Sequence, residues 1–405
     1  MVANKLTLRK ISLGLYIVFV CYVPLAGTYV PKIFGDVSLA WLSFYLLLLA
    51  FVMQLSMKPP FRIFNPWIGI LTFYTIIVVS SVLWASYESY DLFTVKRLFA
   101  RYWAPILVVF IAINLFTDES AVRKYTKHIS LAALLLSLIA IYEIIFRESL
   151  ADDRFRASAS FENPNGLAIF LVLTIPCITY AIENRVFSRK IGWTITAAVI
   201  GGVISTVSRK GMITMVVVFL MCYLLRRQFR KAAFILVLFT GIAVLFSGYQ
   251  IISGRFTEEK FQCEFQGKTN MAYLGWKMFK RSPLIGLGYM GYVNNIGKYV
   301  KLSGVRGVDA HNMYVTVLTN YGLVGILTFM PIFFYPIVMA IRRLGKENSR
   351  HSREMAIICI SCVVPFMING WFAGGLMQHW SVVMLLYTHI VFLLAKDTSA
   401  KDEKL

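Results

Sequence analysis

The sequence predicts an all-α polytopic membrane protein with about 12 transmembrane helices and one long loop outside the membrane. Of its 405 residues, 58% are hydrophobic and 15% are charged, whereas in a soluble domain about half are apolar and about a quarter are charged. Apolar runs of about 17 to 25 residues recur along the chain, and each can cross about 30 Å of hydrocarbon. The stretches between these apolar runs are too short for a soluble domain, so we expect a single transmembrane domain over residues 1–405.

The apolar runs define twelve predicted spans separated by basic residues. A cleaved signal peptide is the alternative for the first run, but Pro24 does not suit a small-residue cleavage site and further spans follow at once. The predicted spans are residues 11–28, 37–57, 67–84, 102–116, 129–146, 165–182, 191–207, 212–225, 232–250, 312–341, 355–371 and 380–395.

Lys and Arg in the short loops predict the orientation. If residues 1–10 and every second short loop after them face one side, that side holds 23 of the 41 basic residues, and the richer side is cytoplasmic. Both termini are then cytoplasmic, and residues 251–311 form a long loop on the outer face. The net charge of +21 does not indicate nucleic acid here, because most basic residues are topology signals beside anionic headgroups.

Two patterns are similar to metal sites and are better explained without a metal. Cys359 and Cys362 have the spacing of a zinc or redox pair, but they lie in an apolar run without His or further Cys, which favours a structural role. Asp152 and Asp153 are followed by arginines, so we expect ion pairs there. We therefore predict no metal and no cofactor.

Basic side chains also gather in the outer segments beside span ends. Arginine suits bidentate recognition of phosphate, and lysine adds a point charge. Arg209 and Lys210 are the most informative pair, because the spans around them leave almost no loop and keep them near the hydrocarbon boundary. The alternative is ordinary snorkelling of cations at a helix end. We predict a pyrophosphate-binding site formed by Arg209, Lys210, Arg255, Lys268 and Arg156.

A polar entrance precedes the long apolar run that starts at residue 312. Histidine exchanges protons near neutral pH, and His311 is the outer histidine with the most polar neighbourhood, so we predict that it is a general base. Asn312 either caps the helix that follows or holds the imidazole.

Asn163 and Asn165 flank Pro164 where another span begins. Asparagine before a proline in the first turn is a normal helix start, and structure alone explains much of this pattern. Amide groups that face an outer cavity would also bind sugar hydroxyls. The predicted sugar-binding or supporting residues are Asn163, Asn165, Asn312 and Tyr314.

Within the long outer loop, Met271, Leu274 and Met278 alternate with basic residues until Pro283. This pattern predicts a short amphipathic helix at the membrane surface. The stretch GLGYMG that follows has the spacing of a dinucleotide fingerprint, but no strand precedes it. We interpret its glycines as turns or as points of close backbone approach.

Four of these stretches occur in the same order in a known family, the bacterial O-antigen polymerase and ligase superfamily of polytopic inner-membrane glycosyltransferases. The chain resembles this superfamily over residues 155 to 330, and the resemblance implies a GT-C-like helical fold. The stretches are RFRASASFENPNGLAIFL, STVSRKGMI, FKRSPLIGLGYMGY and, most specific, AHNMYVTVLTNYGLVGIL.

The resemblance also implies a reaction and a place for each candidate residue. In that superfamily a glycan on undecaprenyl pyrophosphate is passed to an acceptor sugar outside the membrane. Arg209 takes the place of the family's arginine after the short outer turn, and His311 takes that of its histidine. A second family arginine falls near Lys268, which lacks the bidentate fork, so Arg255 is the residue that would compensate.

We therefore expect a metal-independent inverting glycosyltransferase. His311 removes the proton of the acceptor hydroxyl as it attacks the anomeric carbon, while Arg209 and the other cations stabilise the departing undecaprenyl pyrophosphate. No nucleotide is needed, because pyrophosphate already activates the donor. The expected partners are the lipid-linked donor glycan, an acceptor lipid-linked glycan or the lipid A core, membrane lipids and a chain-length regulator.

Alternatives remain at this level. Polymerase and ligase differ only in the acceptor, and we favour polymerase because such enzymes vary widely in sequence and this chain departs from the family at Lys268. A flippase or transporter usually carries buried charge along its pathway, yet the predicted spans hold little beyond Glu143 and His389. A purely structural scaffold explains the spans and leaves the outer cations without a role.

Overall fold

A computed structural model describes residues 2–26, 39–55, 65–85, 98–146, 156–161, 163–247, 258–299, 310–346, 349–373 and 379–394. Within these ranges the chain is helical and contains no strand. Six of the described helices are long and apolar enough to cross a membrane. These features agree with the predicted polytopic membrane fold, and the number of twelve spans stays a prediction.

The described helices occur in the order of the predicted spans, with two differences. They are α1 (Val2–Ile17), α2 (Leu39–Leu55), α3 (Pro66–Ser80), α4 (Ala104–Leu115), α5 (Glu119–Phe146), α6 (Pro164–Glu183), α7 (Arg189–Ser205), α8 (Arg209–Leu225), α9 (Phe229–Ser247), α10 (Glu258–Phe279), α11 (Gly291–Asn295), α12 (Met313–Phe329), α13 (Pro331–Lys346), α14 (Arg350–Gly370) and α15 (Trp380–Leu394). The two differences are that α10 and α11 lie in the predicted outer loop 251–311, and that the predicted span 312–341 contains α12 and the start of α13.

Polar side chains cap several helices at their N-termini. Asn65 and Asn163 each accept a hydrogen bond from the backbone N–H two residues later, and a proline follows each of them. Ser188, Ser208 and Ser349 accept from the N–H three residues later. The first N–H groups of a helix have no intrahelical acceptor, so these caps determine where the helices begin.

The central helix of the bundle is α6. Every residue from Gly166 to Ile182 is buried, and a helix that is apolar all round must be surrounded by other helices. Its neighbours are α5, α7, α8, α14 and α15. The site described below lies at the N-terminal end of α6.

The predicted span 312–341 corresponds to a longer apolar stretch, Met313–Gly345, and its backbone is interrupted. Gly322 has φ 65° and ψ −158°, which are not helical angles. Only glycine adopts this conformation without strain. The sequence pattern predicted the apolar stretch and not the break inside it.

The loop that carries GLGYMG fits into this break. Gly286 and Gly288 have φ values of 69° and 83°, and a Cβ on Gly288 would lie 2.6 Å from the Cα of Ala85. The interpretation of these glycines as turns and close approaches is confirmed. Four backbone hydrogen bonds join the loop to the broken helix, from the N–H of Leu287 to Thr319 O, of Gly288 to Asn320 O, of Leu323 to Pro283 O and of Val324 to Leu284 O.

The amphipathic segment before this loop forms the end of α10, a helix of 22 residues. Met278 and Phe279 are buried, while Lys277, Lys280 and Arg281 are exposed. The last turn of α10 and the two residues after it therefore combine buried apolar and exposed basic side chains, and the position at the membrane surface stays a prediction. It packs against α12.

The opposite end of the bundle, away from the N-terminus of α6, holds a buried ion pair. Arg226 follows α8 and lies 2.5 Å from the carboxylate of Glu354 in the first turns of α14. Their side chains are 4% and 10% exposed, and Arg226 also donates to the hydroxyl of Thr179 in α6. This pair joins α6, α8 and α14 far from the candidate site.

Candidate functional site

Three helix starts and one helix end meet at one end of the bundle. The starts are those of α6, α8 and α12, and the end is that of α14. The backbone N–H groups of a helix start carry a partial positive charge, which favours anions. Most of the predicted site residues that the structure describes lie in these segments.

Arg156 joins the starts of α6 and α8. Its Nη2 donates to the side-chain oxygen of Asn165 at 2.9 Å, and its Nε donates to the carbonyl of Thr206 at 2.9 Å. The Ser208 hydroxyl donates to the same Asn165 oxygen at 2.9 Å and also caps α8. Because two donors share one amide oxygen, Arg156 and the turn before α8 are held in one arrangement.

Arg209 and Lys210 form the first turn of α8, directly after this network. Both side chains are half-buried. The ammonium group of Lys210 donates to the carbonyl oxygen of Phe372, just beyond α14. Further along α8, Thr214 accepts a hydrogen bond from the Asn369 amide at 2.8 Å. The start of α8 is therefore fixed against the end of α14.

The start of α12 contacts the same end of α14. The Tyr314 hydroxyl donates to the carbonyl of Met367 at 2.7 Å, and its ring lies 5.2 Å from that of Trp371. A Cβ on Gly370 would lie 2.6 Å from the terminal methyl of Met313. The helix starts that carry Arg209 and His311 thus adjoin one turn of α14.

His311 stands immediately before α12 in a left-handed conformation, with φ 49°. This conformation is uncommon for a residue other than glycine, although histidine, asparagine and aspartate tolerate it better than most. The side chain is half-buried, while Ala310 before it is buried. Left-handed non-glycine residues often occur at functional sites, and sequence alone does not indicate this one.

Of the two alternatives for Asn312, the structure shows the helix cap. Its side-chain oxygen accepts from the N–H groups of Tyr314 and Val315, each at 3.0 Å. Asn163 likewise accepts from the N–H of Asn165 at 2.8 Å. Both amide oxygens therefore serve as helix caps, and the predicted sugar contacts of these residues are a separate role. Those contacts stay predictions.

Two aromatic or titratable residues at this end were not among the predicted site residues. Trp371 is exposed at the end of α14. His379, immediately before α15, packs on α6, because a Cβ on Gly166 would lie 3.2 Å from its Nδ1. In the sequence these two residues flank the short turn between the last two predicted spans. Only the packing of α14 and α15 brings this turn to α6.

Some predicted residues lie outside the described part of the chain. Arg255 is one of them, as are Asp152 and Asp153. Lys268 is described only as a residue of α10, two turns before Gly275. Gly275 contacts α12 at Val315. The pyrophosphate roles of Arg255 and Lys268 stay predictions.

Among the described residues, no group of three or more His, Cys, Asp or Glu side chains is arranged to hold a metal ion. The groups that the described site offers are guanidinium and ammonium cations, amides, hydroxyls, imidazoles and helix N-termini. Such groups bind and stabilise anions without a metal. The arrangement is thus suited chemically to a phosphate-bearing ligand that also presents hydroxyl groups.

Comparison with known families gives a match to part of the chain. Residues 194–330 match the family described as O-antigen ligase, and the matched segment includes both Arg209 and His311. The predicted resemblance to the O-antigen polymerase and ligase superfamily is confirmed over this segment. No curated protein matches the chain.

Proposed function

We propose that this chain, which resembles the O-antigen polymerases and ligases, is a glycosyltransferase that polymerises lipid-linked oligosaccharide repeat units. It transfers a glycan from undecaprenyl pyrophosphate to a sugar hydroxyl at the outer face of the bacterial cytoplasmic membrane. Both termini are cytoplasmic. One observation carries this proposal: the family match spans Arg209 and His311, and the helix starts that bear these residues adjoin the same turn of α14.

In the proposed reaction His311 is the general base. It takes the proton of the acceptor hydroxyl while that oxygen attacks the anomeric carbon of the donor, with inversion at carbon. The bond from the anomeric carbon to the pyrophosphate oxygen breaks, and undecaprenyl pyrophosphate leaves. A positioned general base contributes about 10² to 10⁴ in rate.

The leaving group gains negative charge, and the start of α8 is suited to stabilise it. Arg209 and Lys210 lie in the first turn of that helix, where the helix dipole also favours an anion. Arg156 lies beside it in a fixed orientation. Donors that are held in place before the reaction stabilise developing charge without reorganisation. No metal is required in this mechanism.

The acceptor separates two versions of the proposal. A polymerase uses another lipid-linked repeat unit, and a ligase uses the core sugar of lipid A. We favour the polymerase because this chain departs from the family at Lys268, and the ligase is the alternative. A flippase is a third candidate, and we disfavour it because Arg156, Arg209 and Lys210 cluster at one end of the bundle instead of following a path across it.

The test is the glycan profile of a strain that lacks the gene, complemented with wild type, His311→Ala or Arg209→Ala, with protein levels checked by immunoblot. If the protein is a polymerase, the strain without it carries single repeat units on the surface anchor. Neither variant then restores long chains. Long chains that accumulate on undecaprenyl pyrophosphate would identify a ligase. A variant that restores the normal profile would remove that residue from the mechanism.

A further inference from the structure

Glu143 is a buried carboxylate that the proposed mechanism does not use. It lies in the last turn of α5 and is 6% exposed. An ionisable residue at such a depth in an apolar helix is costly and therefore needs a partner. Its Oε2 accepts hydrogen bonds from the backbone N–H groups of Ser158 and Ala159, each at 3.0 Å.

These two N–H groups belong to the short segment 156–161, which starts with Arg156. Three residues with small side chains in this segment, Ala157, Ala159 and Ser160, are buried, with exposures of 0%, 3% and 5%. Ala159 has φ 45°. A buried turn with this φ needs its N–H groups satisfied, because backbone groups without a partner are costly away from water.

Two further contacts hold the same segment. The N–H of Ala157 donates to the carbonyl of Ser205 at the end of α7 at 3.2 Å, and the hydroxyl of Ser160 donates to the carbonyl of Pro24. Both acceptors are neutral carbonyl oxygens. Glu143 supplies the carboxyl group of the set, and one of its oxygens receives two N–H groups.

We propose that Glu143 is a positioning residue for pyrophosphate binding. It holds the turn at Ser158 and Ala159, and this turn aims the Arg156 guanidinium at Asn165 and the start of α8. The inference rests on the proposed function, because the ligand it serves is the pyrophosphate of the lipid donor or product. Glu143 does not touch the ligand and acts on it through Arg156.

The arrangement explains what a carboxylate does at this position. One oxygen atom receives both N–H groups, which an alanine cannot replace. A glutamine keeps the length and one acceptor oxygen, so it retains the geometry without the charge. The two substitutions therefore separate the role of the acceptor from the role of its charge.

The probe is undecaprenyl pyrophosphate itself, because it carries the group in question and requires no knowledge of the sugar. Its dissociation constant is measured for the full chain purified in detergent. We expect Glu143→Ala to weaken binding about tenfold and Glu143→Gln by less, about threefold, because glutamine keeps one acceptor oxygen for the N–H groups. Arg156→Ala is expected to weaken binding by at least as much as Glu143→Ala.

The decisive measurement is the double variant Glu143→Ala with Arg156→Ala. If Glu143 acts through Arg156, the double variant binds no more weakly than Arg156→Ala alone, since the second change removes nothing further. Losses that multiply would overturn the positioning role, as would unchanged binding in either single variant. If Glu143→Ala does not fold, the same comparison is made with Glu143→Gln.

The matched control is Glu119→Gln at the first residue of the same helix. Glu119 pairs with Arg123, and both side chains are close to half exposed, so this change is expected to leave the dissociation constant unaltered. Wild-type protein that does not bind undecaprenyl pyrophosphate would contradict the proposed function. Wild-type binding with no effect at Glu143 would contradict only the positioning role.

Discussion

Single side chains at helix starts hold the backbone on which the candidate site depends. Asn312 caps α12, which follows His311, and Ser208 caps α8, which begins with Arg209. A cap satisfies N–H groups that have no intrahelical acceptor. Its loss therefore loosens the turn beside the site as well as the helix itself.

Asn312 provides the first prediction at this scale. Asn312→Ala removes the acceptor for two N–H groups and is expected to lower the free energy of unfolding by about 1 kcal/mol. Asn312→Asp keeps an acceptor oxygen and is expected to retain stability. Thermal unfolding of both variants in one detergent measures the difference, and equal midpoints would show that the cap contributes nothing.

His311 provides the second prediction at the scale of single residues. His311→Asn removes the proposed base while its side chain tolerates the left-handed backbone. We expect glycan transfer to fall by about 10² to 10⁴ with little loss of stability. His311→Ala is expected to lose the same activity and, in addition, some stability. Normal transfer by the asparagine variant would exclude His311 as the base.

At the scale of elements, the broken helix α12 and its loop form one unit. The break exposes N–H and C=O groups, and within a membrane protein such groups must be paired by protein. The GLGYMG loop supplies these partners through four backbone hydrogen bonds. The loop follows α10 directly, so the hydrogen bonds between the loop and α12 also keep the end of α10 beside α12.

Gly322 tests this unit. Gly322→Ala places a Cβ against the backbone of Leu284 at φ 65°, and such strain costs about 1 to 3 kcal/mol. We expect a lower unfolding midpoint and reduced transfer. Gly69→Ala is the matched control, because a Cβ there meets nothing within 4 Å and alanine favours a helix. Equal midpoints for the two variants would contradict the account of the break.

For the whole molecule, charge is distributed between the two ends of the central helix. The N-terminal end of α6 has the candidate cations, and its C-terminal end has the ion pair of Arg226 and Glu354. Removing one partner of a buried pair leaves an uncompensated charge. Stability and substrate binding are therefore expected to depend on different charges.

Glu354→Gln tests this separation. The change leaves Arg226 buried without its partner and is expected to cost about 3 to 5 kcal/mol of stability. Glu119→Gln breaks the exposed pair with Arg123 and is expected to cost less than about 1 kcal/mol. Chemical unfolding in mixed micelles compares them. Binding of undecaprenyl pyrophosphate at low temperature should remain in both, and selective loss of binding in Glu354→Gln would contradict the separation.

Local sequence patterns were sufficient for much of this protein. Apolar length predicts the helices, and Asn or Ser before a run predicts their first residues, as at Asn163 and Asn312. The sequence also indicates the pair Arg209 and Lys210, because the neighbouring residues alone place it between two spans at the start of a helix. Helix formation depends on nearby residues and on burial in lipid, so it can be read locally.

Other features depend on contacts between distant segments. In the sequence Glu143 is only a rare ionisable residue within a predicted span, and its partners lie 15 and 16 residues away. The break at Gly322 is stabilised by a loop more than 30 residues earlier in the chain. His379 and Trp371 reach the site only because α14 and α15 pack beside α6. Hydrogen bonds and packing across a bundle are set by its three-dimensional arrangement, since no spacing along the chain specifies which helix ends meet.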